Sequence, residues 1–91
     1  MNATRRKAIN KLCGEVEELH SKLTDLKSNL ETLKDEEREY LDNMPEGLQG
    51  SEKGEKAESA ASALETAVES LETVESELQT AIDSMTESTE E

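Results

Sequence analysis

The stretch INKLCGEVEELHSKLTDLKSNLETL, residues 9–33, decides the fold. Its apolar members are Ile9, Leu12, Val16, Leu19, Leu23, Leu26, Leu30 and Leu33, alternately three and four residues apart. That spacing keeps one helix face apolar over nearly four heptads, the signature of a coiled-coil seam. With Ile9 at a, the a sites continue through Val16, Leu23, Leu30 and Glu37, and the d sites are Leu12, Leu19, Leu26, Leu33 and Tyr40. The pattern predicts a first helix over about residues 4–42.

Outward from this seam, residues 43–51 (NMPEGLQGS) break the pattern. Pro45 disfavours helical backbone at Met44. Gly47 and Gly50 are expected to supply turn conformations. Ser51 is placed to cap the next helix, with Glu52 favourable at its positive end. A second helix is predicted over about residues 52–85. Ala57, Leu64, Leu71, Leu78 and Met85 recur every seven residues, and Ala60, Ala67, Val74 and Ala81 complete a seam. A third stripe of Ala61, Val68, Glu75 and Ile82 widens the apolar face, a pattern expected of contact with two neighbouring helices. Residues 86–91 read as a solvated acidic tail.

The expectation is therefore all-α: residues 1–91 form a single antiparallel helical hairpin. The two seams align with Met85 against Ile9, Leu78 against Val16, Leu71 against Leu23 and Leu64 against Leu30. A lone two-helix hairpin leaves much of its seam wet, while ordering it costs roughly 1.5 kcal/mol per residue. Association into an oligomeric helix bundle is expected.

Composition excludes several classes. Of 91 residues, 32% are hydrophobic, one is Tyr, and Phe and Trp are absent, which disfavours an all-β fold. Apolar runs are too short to span a membrane. The charged N-terminus is followed by no apolar segment, so no signal peptide is expected. A single cysteine, Cys13, allows no internal disulfide, and a reduced, cytoplasmic setting is expected. The net charge of −13 disfavours direct nucleic-acid binding. Residues 51–91 hold twelve acidic and two basic groups, against eleven and eight in residues 1–50. Glu58, Glu65, Glu69 and Glu72 fall on outward helical positions as a candidate acidic partner face. The e positions His20, Lys27 and Lys34 flank the seam within reach of Glu75 and Glu77.

No nucleophile–base pair, phosphate loop or metal-ligand set stands at a meaningful spacing, so neither enzyme activity, cofactor nor metal is expected. The chemistry gathers at the hinge. Glu37 leaves a polar notch opposite Ala57, and Arg38, Tyr40, Asn43, Gln49, Ser51 and Lys53 surround it. An aromatic ring, amides and cations together suit an anionic, ring-bearing ligand such as a nucleotide. The other reading is that Tyr40 closes the bundle and the amides satisfy loop backbone.

The hinge text Asp42-Asn43-Met44-Pro45-Glu46-Gly47-Leu48-Gln49-Gly50-Ser51-Glu52, followed later by Ala81-Ile82-Asp83-Ser84, resembles a family of small helical proteins of bacteriophages and prophages. The resemblance covers about residues 30–85 and carries no activity or functional residues. It implies a phage accessory context: inhibition of host defence or a host enzyme by binding, through capture of a nucleotide-like ligand or an acidic face seated in a host protein's basic groove. A structural coiled-coil spacer is the alternative.

Overall fold

In a computed structural model describing residues 1–90, the chain is a long antiparallel hairpin. Helix α1 spans Ala3–Asp42, a single-turn α2 spans Glu46–Gln49, and α3 spans Glu52–Ser88. Among the described residues there is no strand. The molecule measures 69 × 14 × 14 Å, with a radius of gyration of 20.3 Å. A compact chain of this length would have a radius near 12 Å. No helix is long and apolar enough to cross a membrane.

Local chemistry fixes the helix ends. Asn2 caps α1, its side-chain oxygen accepting from Arg5 N–H at 2.8 Å. Ser51 caps α3, accepting from Gly54 N–H at 3.5 Å. The hinge departs from the expected break in two ways. Pro45, with φ −53° and ψ 141°, starts the short α2, its carbonyl accepting from Leu48 and Gln49. Neither Gly47 nor Gly50 takes a positive φ, so the turn does not rely on glycine backbone. Gln49 Nε2 instead donates to Met44 carbonyl at 3.0 Å, and Leu41, Met44 and Ala57 bury themselves beneath the loop.

The C-terminal boundary also differs. Thr86, Glu87 and Ser88 continue α3 rather than starting a tail. Nothing there breaks a helix, and Thr86 lies 3.8 Å from the sulfur of Cys13. Of the expected acidic tail, Glu91 lies outside the described residues.

The main correction is rotational. Toward α3, helix α1 presents its a sites (Ile9, Val16, Leu23, Leu30) and its e sites (Cys13, His20, Lys27, Lys34, Leu41). Helix α3 answers with Ala57, Leu64, Leu71 and Leu78 and with the third stripe, where Ala61, Val68 and Ile82 are buried. The expected d seam points away: Leu12, Leu19, Leu26 and Leu33 are 52–55% exposed. On a 3.6-residue helix the a, d and e positions span about 100°, more than one neighbour can cover. Near the hinge, Ala57 and Ala61, both small and buried, let α3 approach on the a/e side.

Candidate functional site

The rotation brings α1's b positions toward α3, and these set the electrostatics. Arg38 Nη1 donates to Glu58 Oε2 at 2.9 Å and Nη2 to Glu65 Oε1 at 2.8 Å. One guanidinium thus bridges two carboxylates two helical turns apart. The Glu65 hydrogen bond is the main cause of Arg38's raised pKa. Its fork is occupied, so an incoming anion must displace a carboxylate.

The expected hinge residues divide between two clefts, with Ser51 in a third beside Lys53 and Lys56. Tyr40, Asn43 and Lys53 line one, with Met44, Pro45 and Leu48. Lys53 Nζ sits 5.9 Å from the Tyr40 ring centroid, within cation–π range. Arg38 and Gln49 line the other, beside Asp42, Glu55 and Glu58. Ser51 and Gln49 are used by the loop, Ser51 Oγ bonding Leu48 carbonyl. The six residues therefore do not converge on one cavity. Glu37 is half-buried.

Along the shaft, Glu75 replaces an apolar residue in the buried stripe. It accepts from Thr24 Oγ1 at 2.9 Å and Lys27 Nζ at 3.1 Å; the Lys27 pairing was legible from the e position. Chiefly through Thr24 and then Lys27, its carboxyl is held below the ordinary value of 4.5. A depressed folded pKa stabilises above the unfolded value, and that contribution fades as pH falls through the folded value. Glu75→Gln should therefore lower the melting temperature at pH 7, with the deficit shrinking below pH 4.5 in circular-dichroism melts. A deficit independent of pH would assign the loss to packing alone.

Of the acidic face, Glu58 and Glu65 belong to Arg38, while Glu69 and Glu72 border a shallow surface with Lys34. Lys34 pairs with Asp35 at 3.2 Å. Among the described residues no three His, Cys, Asp or Glu side chains group to hold a metal. Sequence reasoning missed the Arg38 double ion pair because it placed Glu58 and Glu65 facing outward.

The largest unexplained feature is a face rather than a cavity. In both helices the buried residues stand at a position and four beyond it, and the exposed apolar stripe stands three beyond. Related antiparallel helices carry such stripes to the same side. Leu12, Leu19, Leu26, Leu33 and Tyr40 of α1 therefore share a long face with Ala60, Ala67, Val74 and Ala81 of α3, most of them exposed. The fold defines the class: an antiparallel helical hairpin with one apolar flank. The chain matches no known family model, no curated protein and no solved structure.

Proposed function

We propose that the chain is a non-enzymatic helical module that works by self-association, forming a bundle whose charged outer surface meets a partner. The observation that carries this is the row of four leucines, each about half exposed, at seven-residue intervals along the rod. Scattered exposed leucines need no explanation, but a contiguous apolar row marks an interaction surface. Accessible surface argues the same way. The chain exposes 6448 Å², about 1,200 Å² more than a compact monomer of its mass. A standard interface buries about 800 Å² per partner.

The hinge supports ligand capture less well, since Arg38 is neutralised and its companions are split between clefts. The Tyr40–Lys53 pair is the one arrangement there that favours a ring-bearing anion. The turn's resemblance to phage and prophage proteins supports an accessory role in a bacterial host, with the assembled hairpin as inhibitor or scaffold. Native mass spectrometry of gently purified protein, mixed with a nucleotide panel, tests the reading. The expected spectrum is a multiple of the chain mass without adduct. A monomer would overturn the proposal, as would stoichiometric nucleotide that disappears in Tyr40→Ala.

A further inference from the structure

Resting on that self-association, we infer that the occupant of the apolar face is one second copy, with α1 of each hairpin stacked on α3 of the other. The two-fold axis then runs along the rod and both hinges lie at the same end. A face-to-face pair of hairpins has one other two-fold solution: α1 on α1 and α3 on α3, with hinges at opposite ends.

Size separates the two. The α1 stripe is a ridge of leucines. The corresponding flank of α3 is small: Ala60, Ala63, Ala67, Ser70, Val74 and Ala81, most of them exposed, with Lys56 and Glu77 the charges along its edge. Leucine on alanine gives two equal helix separations. Leucine on leucine beside alanine on alanine gives one wide and one narrow, which tilts the hairpins and opens gaps in the core.

Charge separates them independently. Residues 51–91 hold twelve acidic groups and only two basic ones, Lys53 and Lys56, whereas residues 1–50 hold eight basic groups. Stacking α1 on α3 places each acidic helix between two helices that carry cations. The alternative sets two acidic helices side by side, which is repulsive.

The hairpin register fixes the predicted neighbours. Cys13 meets Ile82, Thr24 meets Glu75 and Arg38 bridges Glu58 and Glu65 within one chain, which sets Leu26 between the levels of Ala67 and Val74. An axis along the rod preserves that level, so Leu26 of one copy lies over the step between Ala67 and Val74 of the other. In the alternative, antiparallel α1 helices bring Leu19 of one copy near Leu26 of the other. The test uses full-length single-cysteine chains in a Cys13→Ala background. One mixture joins Leu26→Cys with Ala67→Cys or Val74→Cys chains and the other Leu19→Cys with Leu26→Cys chains. Both are oxidised mildly and weighed by mass spectrometry, with assembly confirmed by sedimentation. At least a ten-fold excess of disulfide-linked mixed pairs in the first mixture is expected. Trapping mainly in the second, trapping in neither mixture while the chains still pair, or an assembly larger than two copies would overturn this arrangement and leave self-association standing. Chains that remain monomeric would overturn both.

Discussion

A chain carrying Leu19→Glu and Leu26→Glu is expected to sediment as a 10.1 kDa monomer under conditions where the unaltered chain does not. Both leucines are more than half exposed in the isolated hairpin, 55% and 52%, so the substitutions leave the a/e interface between α1 and α3 untouched. A two-fold assembly counts each substitution twice, placing four charges on the shared face. Full burial of a leucine is worth about 1.5–3 kcal/mol. Counting half of that for four sites gives roughly 3–6 kcal/mol, or about 10²–10⁴-fold in the dissociation constant. The helical content of the altered chain should also melt at a lower temperature that no longer depends on protein concentration, since the unaltered bundle is stabilised by mass action. Unchanged assembly would remove the leucine row from the interface.

The same substitution at two glycines should have opposite signs. Gly54→Ala is expected to destabilise by about 1–3 kcal/mol, as overpacking does, lowering the melting temperature by roughly 5–20 °C. Gly54 is buried where α2 passes over the first turn of α3. An added methyl would collide with the Gln49 carbonyl oxygen and stand 2.5 Å from its carbon and from Leu48 oxygen. These are backbone atoms held by Gln49's bond to Met44 and by the Ser51 cap, so they cannot swing aside as a side-chain tip would. Gly14 lies in α1 with nothing within 4 Å of such a methyl. Gly14→Ala should stabilise by about 1 kcal/mol through helix propensity. Thermal melts of the two variants measure both. A stabilising Gly54→Ala would mean that the loop does not lie against α3 as described.

Much of this architecture is visible in the spacing of apolar residues. The seven-residue repeats locate both helices, Pro45 marks the hinge, Ser51 caps α3, and Lys27 finds Glu75. Spacing alone does not say which two of three stripes meet inside one chain. The a, d and e positions of α1 are all candidates, and the pairing depends on how closely α3 approaches, which Ala57 and Ala61 decide together. Because the a/e side wins, b positions turn inward. Arg38 then clamps Glu58 and Glu65, residues that a heptad drawing places in solvent. Gly54 escaped notice for a different reason: its necessity comes from the path of α2, which no local pattern encodes. Thr86–Ser88 lack apolar residues yet remain helical because nothing there interrupts the backbone ladder.

Self-association is the central claim, and sedimentation equilibrium of the unaltered chain over a hundred-fold concentration range tests it most directly. The account predicts a limiting mass of two chains, twice 10.1 kDa, with association strengthened by added salt because each chain carries a charge of −13. A mass that stays at 10.1 kDa across the range, at low and high salt alike, would contradict it.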